Sequence, residues 1–388
     1  MAERTFLGFP RRSGPAGTRN HLLVLAINGL IAATAERVAG VLPFAKLVAT
    51  PYGRGQFGPD KECHFRQLVG LGASPNNGGV LILGVDRKSA DDLATAIAAR
   101  TTVPVEIVTL DDTHEDALEL AARAIRLGAS LSRKISSDRR MPVPLSDLYI
   151  GLECGHSDAS SGLASNPLAG ALADRLVDAG GAAVIGETIE WLGAEHALRT
   201  RGADPETGEA VVRAVARREA SVSAAGVDLL GNNPGQENIR GGLSTIEEKS
   251  LGAIAKAGTH PITALLPFAE PPKRPGLHLM DGPSFSPESM TGFVASGTQM
   301  ILFTTGPGNS YCSLLAPTVK ISANPGAIAQ IRNQVDFDAS AIFEGRETLD
   351  AVADRLLQEM IDYASGTLTW GEVVGEGGEC FTRIGASL

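Results

Sequence analysis

The sequence predicts an α/β fold of two Rossmann-like domains with mainly parallel sheets. Short apolar runs of strand length alternate along the chain with Ala-rich stretches of helical spacing, and that alternation buries parallel sheets beneath helices on both faces. Glycine is abundant, at 45 of 388 residues, with no G-X-Y period, which suits many tight strand–loop–helix junctions. Strands are expected, in order, at 21–28 (HLLVLAIN), 80–85, 105–110, 148–152, 300–304 and 318–321, each an apolar run bounded by turn residues. Helices are expected between them at 30–41, 90–99, 115–127 and 167–179. The stretch SLSRKISSDRRMPVP (130–144) is basic, rich in Ser and Pro, and without an apolar period. It reads as a connector, which gives an N-terminal domain 1–130, a linker 131–145 and a C-terminal domain 146–388. PPKRP (271–275) reads as a surface loop and 202–225 as a charged, solvated helical excursion.

Composition removes several function classes. The formal net charge of −10 lacks the clustered Lys/Arg surface that phosphate neutralisation needs, so nucleic acid is not an expected partner. No apolar run reaches the ~18–20 residues that span a bilayer, and MAERTFLGFPRR lacks the order of a secretory signal, so a membrane is not expected either. Cys63, Cys154, Cys312 and Cys380 lie far apart without CxxC spacing, which fits reduced thiols and a cytoplasmic location.

Polar chemistry concentrates in a few blocks at strand ends, where open α/β sheets bind ligands. GLECGHSDASSGLASNP (151–167) crowds Cys154, His156, Ser157 and Asp158 ahead of Pro167; a turn capping the next helix explains the block equally well. GETIEWLGAEH (186–196) sets Glu187 and Glu190 three apart, with Glu195 and His196 one turn later. Two carboxylates and an imidazole suit a divalent metal or a base, and a solvated acidic helix start is the plainer alternative. In NNPGQENIRGGLSTIEEKSLG (232–252), Ser244 or Thr245 with Glu247 or Glu248 fits a capping box. Capping leaves Asn238 and Arg240 unexplained, and Lys249 is a carboxylate binder or a surface ion pair. Gly306 and Gly308 in TTGPGNS allow close backbone approach to a ligand beside Asn309, whereas His278 in GLHLMD fits a core histidine. GTRN brings Arg19 and Asn20 to the first strand, and PYGRGQFG (51–58) carries Arg54 and Gln56 in a loop.

GTRN, CGHSDASSGLASNP, GETIEWLGAEH, GGLSTIEEKSLGAIAKAG, GLHLMD and TTGPGNS…PTVKISANP, in this order, resemble the altronate/galactarate dehydratase family from residue 7 to about residue 325. The resemblance implies β-elimination from a 2-hydroxy acid to a 2-keto acid, in the cleft between the domains, with a divalent metal, Fe2+ or else Mn2+. For that chemistry it nominates Glu187, His196, Glu248 and Lys249 as catalytic, and Cys154, Asp158, Glu187 and His196 as metal ligands. The substrate, a small anion, would meet Arg19, Asn20, Arg54 and Gln56 from the N-terminal blocks. From the C-terminal blocks it would meet His156, Ser157, Asn238, Arg240, Gly308 and Asn309. An iron–sulfur cluster is not expected, because it would need three or four cysteines.

Three loops depart from the sugar-acid dehydratases. PYGRGQFG stands where they carry a His-Gly-x-Gly-Cys loop, Gly84-Val85-Asp86 where they carry Gly-Cys-Glu, and TGPGNS where they carry TGRGS. The first of these resembles the branch containing the large subunit of (2R)-sulfolactate sulfo-lyase, which implies (2R)-sulfolactate as substrate, with pyruvate and sulfite as products. Arg54 and His156 would then be apt partners for the sulfonate. A sugar-acid dehydratase and a non-catalytic binding subunit are the alternatives. The chain also begins at the family's main domain, so a separate small SAF-like partner chain, in a homo- or hetero-oligomer, is expected.

Overall fold

The computed structural model describes residues 4–228 and 233–383. In chain order the strands are β1 (Thr5–Gly8), β2 (His21–Ala26), β3 (Ala45–Ala49), β4 (Asn77–Gly84), β5 (Val105–Thr109) and β6 (Met141–Pro144). They continue as β7 (Tyr149–Cys154), β8 (Ala182–Ile185), β9 (Ile262–Pro267), β10 (Gly276–Asp281), β11 (Met300–Thr305), β12 (Thr318–Ser322) and β13 (Phe337–Asp338). The architecture is mixed α/β with mainly parallel sheets. A four-stranded sheet has the order β3-β2-β4-β5 and a seven-stranded sheet the order β13-β12-β11-β7-β8-β10-β9, with every pairing in both parallel. The exception is the ribbon of β1 and β6, paired antiparallel.

Strand alternation explains how both faces of the small sheet are covered. Leu22 and Val24 pack with the helices Ala32–Val41 and Ala117–Ile135. Leu23 and Leu25 point the other way, against Gly58–Gly72 and Arg87–Ala98. β4 is buried along its whole length, as a central parallel strand must be. In the large sheet, Ile150 and Leu152 of β7 pack with helices Asn166–Asp178 and Leu349–Ala364, while Tyr149 meets Phe293 of helix Ser286–Ser296 on the other face. Each such fully buried aliphatic side chain is worth about 1.5–3 kcal/mol.

One apolar cluster joins the sheets, running from Leu23, Leu25 and Leu68 to Met290, Val294, Ile301 and Phe303. The crossing is close: a Cβ on Gly70 would lie 2.0 Å from the Ala295 carbonyl oxygen. Polar contacts cross it too. The Asn76 side chain donates to the Gln299 and Leu315 carbonyls and accepts from the backbone N–H of Thr18 and Arg19.

Two segments differ from expectation. Residues 131–145 are not a plain connector: helix Ala117–Ile135 runs into them with Leu131 and Ile135 buried, and β6 follows. The helical period is there, as Leu120, Ala124, Leu131 and Ile135, but Ser and Lys at the intervening positions mask it. The stretch 202–225 holds helix Pro205–Ala224, which buries Val211, Ala214 and Val215 and so is more than a solvated excursion. Among the described residues no helix is long and apolar enough to cross a membrane.

Candidate active site

Because the strands of the large sheet are parallel, the carboxyl ends of β11, β7, β8 and β10 lie side by side at one edge. The loops leaving them supply Cys154, Gly155, His156 and Ser157, then Glu187, Ile189 and Glu190, then residues 282–287, and Asn309 with Tyr311. With the last turns of helix Pro205–Ala224, residues 233, 237 and 238, and Lys249, they line a cavity of about 860 Å3. This is where open parallel sheets place ligands.

At its floor lies a buried set of charges. Glu153 and Cys154 end β7, Glu187 and Glu190 belong to the turn after β8, and Lys249 and Lys256 come from helix Ile246–Ile254 and the turn Ala255–Ala257. Lys249 Nζ lies 2.8 Å from one Glu190 carboxylate oxygen and also donates to the Asn233 side-chain carbonyl. Lys256 Nζ lies 3.6 Å from the other Glu190 oxygen and donates to Cys154 Sγ at 3.0 Å. The Cys154 thiol in turn faces Glu190 at 3.5 Å.

Burial and charge divide these groups. Burial would raise the Glu190 pKa, but Lys249 and Lys256 overcome it and hold Glu190 down to about 2. Burial, with Glu153 and Glu190 adding repulsion, pushes Glu187 well above the usual carboxylate range. Burial also raises Glu153 to about 7 and the Cys154 thiol to about 11. Glu190 is therefore held as the anion between two ammonium groups, while the surroundings of Glu187 favour its protonated form.

Backbone strain marks the same place. Among the described residues six non-glycines have positive φ, and two of them line the cavity: His156 at 53° and Glu187 at 62°. His156 Nδ1 meets the Gly308 carbonyl at 3.0 Å, so that nitrogen carries the hydrogen in the neutral ring and Nε2 is left as the acceptor.

The donor set suits a divalent ion. Ligand atoms of Glu153, Cys154 and Glu190 all lie within 4.8 Å of one another. Glu153 Oε2 is buried without a hydrogen-bond partner, whereas Oε1 accepts the Cys154 N–H. An orphaned carboxylate oxygen beside a thiol and a second carboxylate fits a bound cation.

Of the nominated residues, the structure brings together Cys154, Glu187, Lys249, His156, Ser157, Asn238 and Asn309 around this cavity. Gly308 touches it through the His156 contact, at a φ of +115°. The others serve elsewhere. His196 is 75% exposed, pairs with Glu195 and does not line the cavity. Asp158 is not in that donor set; its carboxylate accepts from Ser160, Ser161 and Asn324. Glu248 is exposed and caps its helix through Ser244. Arg19 forms a two-pronged ion pair with Glu372, and Asn20 bonds Arg11, Asp138 and the Ile135 carbonyl. Arg54 and Arg240 are exposed and do not line the cavity, and neither does Gln56, although its Nε2 is buried without a partner.

Three charged residues at or beside the cavity are not among those nominated from the sequence: Glu153, Lys256 and Arg218. The signal for the first two was a lone charge inside an apolar run, Glu in YIGLEC and Lys in AIAKAG. Nothing local marks Arg218, whose position depends on where its helix docks.

Comparison with known proteins gives two adjacent family matches. Residues 8–131 match the model described as D-galactarate dehydratase/altronate hydrolase, second domain. Residues 145–387 match D-galactarate/altronate dehydratase, C-terminal. The chain is 34% identical over 383 residues to (2R)-sulfolactate sulfo-lyase subunit beta of Chromohalobacter salexigens, covering 98% of each. It is 33% identical over 375 residues to altronate dehydratase of Bacillus subtilis, covering 94% of this chain and 75% of that one. Against galactarate dehydratase (L-threo-forming) of Escherichia coli, identity is 31% over 315 residues, covering 78% and 59%.

Proposed function

The chain belongs to the D-galactarate/altronate dehydratase family and is a lyase, and we propose that it eliminates a β-substituent from a 2-hydroxy carboxylate to leave a 2-keto acid. The observation that carries this reading is the grouping at the cavity of Glu187, Glu190, Lys249 and His156, with the Lys249 and Lys256 ammonium groups 2.8 and 3.6 Å from the Glu190 carboxylate.

The C2 proton is weakly acidic, so its removal needs a base and fixed positive charge near the carboxylate as it becomes enolate-like. His156 Nε2, left as acceptor by the Gly308 contact, takes that proton. Lys249, at the cavity wall, holds the carboxylate and stabilises the charge it gains. Where the leaving group is hydroxide, the C3–O bond breaks as Glu187 gives its proton to the oxygen, releasing water and an enol that tautomerises. Where it is sulfite, the C3–S electron pair leaves with sulfur and no proton is needed. A divalent ion at Glu153, Cys154 and Glu190, iron by the softness of the thiol and manganese as the alternative, would supply Lewis-acid polarisation of the substrate oxygens.

Within this class we favour (2R)-sulfolactate, giving pyruvate and sulfite. Similarity along nearly the whole of both chains supports it, as does the PYGRGQFG loop. The sugar-acid dehydratase reading is favoured by one observation, a buried Glu187 at the cavity whose surroundings favour the protonated form, since only a poor leaving group requires an acid there. Because that relative is named as a subunit, a separate small chain is proposed as partner, in the cytoplasm, where the cysteines stay free. The test is anaerobic assay of the chain, alone and with a small SAF-like subunit supplied separately, with iron or manganese. Pyruvate and equimolar sulfite from sulfolactate are expected. A 2-keto-3-deoxy acid from altronate or galactarate without sulfite would overturn the substrate preference.

A further inference from the structure

We propose that Arg218 recognises a second anionic group on the substrate and so makes the site selective for dianionic over monoanionic 2-hydroxy acids. The proposal rests on the reading of the cavity as the lyase site. Arg218 stands on helix Pro205–Ala224 and is the one arginine among the described residues lining the cavity. Its Nη2 lies 3.3 Å from Asp281 Oδ1, and Arg217 Nη2 lies 3.0 Å from Oδ2 of the same carboxylate. Asp281 ends β10, beside the other strands whose carboxyl ends frame the cavity, and its Oδ1 also accepts the Thr188 hydroxyl at 2.8 Å.

Two guanidinium groups thus share one carboxylate, and Arg218 is the one of the two that lines the cavity. Turning Arg218 toward a ligand costs Asp281 little, since Arg217 and Thr188 keep it paired and hydrogen-bonded. At 39% exposure the Arg218 side chain has room to make that turn. Lys249 already provides a cation for the carboxylate at the reacting end, and it is tied to Glu190. A monoanion has no use for the second cation, whereas a sulfonate on C3 or a far carboxylate does. The planar guanidinium fork matches two oxygens of either group.

The experiment is titration calorimetry of native protein, Arg218→Gln and Arg218→Lys with malate, an unreactive 2-hydroxy dianion, and with lactate, its monoanionic counterpart. Arg218→Gln is expected to weaken malate at least tenfold while leaving lactate within twofold, with Arg218→Lys between. Melting temperature serves as the control for folding. Equal changes for both acids, or malate binding untouched by the substitution, would overturn the assignment, as would native protein that does not bind malate. Steady-state kinetics then identify the source of the second anion, by whether KM rises in Arg218→Gln for sulfolactate or for galactarate. Arg218-dependent malate binding in protein that turns over no 2-hydroxy acid would instead overturn the lyase reading and leave this assignment standing.

Discussion

Glu187 and Glu190 stand three residues apart on one turn, yet their surroundings shift their proton affinities in opposite directions. Glu190 meets both ammonium groups, which favour its anion, while burial and the neighbouring carboxylates favour the protonated form of Glu187. Replacing Glu187 by Gln keeps the shape and removes the transferable proton. Turnover with a hydroxide leaving group is expected to fall at least ~100-fold, with melting temperature unchanged, as read by kinetics and calorimetry in parallel. Arg19 makes the contrasting case. Its guanidinium is buried against Glu372 with both prongs engaged, and so serves the fold. Arg19→Gln is expected to cost about 1–3 kcal/mol by denaturant titration, because the half-buried Glu372 loses its cation and keeps only its Thr369 hydrogen bonds. At this scale the sequence showed Cys154, Glu187 and Lys249 because each stands in a dense polar block. It misplaced His196 and Arg54 because neighbours in sequence do not share a side of the backbone, and it passed over Lys256 because one Lys among alanines resembles a solvated helix residue.

The loop after β7 acts as a strap around one carboxylate. Asp158 Oδ1 accepts from the Ser160 hydroxyl and the Ser161 N–H, and Oδ2 accepts from Asn324, which tethers the loop to the segment after β12. Gly306 completes the fit, since a Cβ there would lie 2.2 Å from the Asp158 carboxyl carbon. Asp158→Ala is expected to destabilise by about 1–3 kcal/mol through the stranded Asn324 and Ser161 donors, while metal content by elemental analysis stays at the native level. Loss of metal with stability intact would return Asp158 to the ligand set. Most strands and helices were legible from apolar runs and their periods. The small strands β1, β3 and β6 were not, because edge and ribbon strands carry mixed side chains and depend on their partners for identity.

Across the molecule, His64 joins parts far apart in sequence. Its ring lies edge-on to Tyr52 and to Phe381, and Nε2 meets the Thr50 hydroxyl at 2.8 Å. Burial lowers its pKa to about 4, against an ordinary value near 6.5, so the folded state resists a proton that the unfolded chain accepts. The stability due to a neutral His64 is therefore present above about pH 6.5 and drains away as pH falls toward 4. The melting-temperature advantage of native protein over His64→Gln is expected to shrink over that interval, as followed by calorimetry; a constant difference would show that His64 does not titrate there. The pairing order of the large sheet has a consequence for synthesis. β7 takes its place between β8 and β11, and β11 ends at Thr305, so the ribosome must translate about two-fifths of the chain after Cys154 before the strand carrying it has both neighbours. The small sheet, by contrast, closes once Ile135 has cleared the exit tunnel. A nascent chain is expected to carry a protease-resistant N-terminal core for the time needed to polymerise some 170 further residues, with the reaction chamber assembled only at the end.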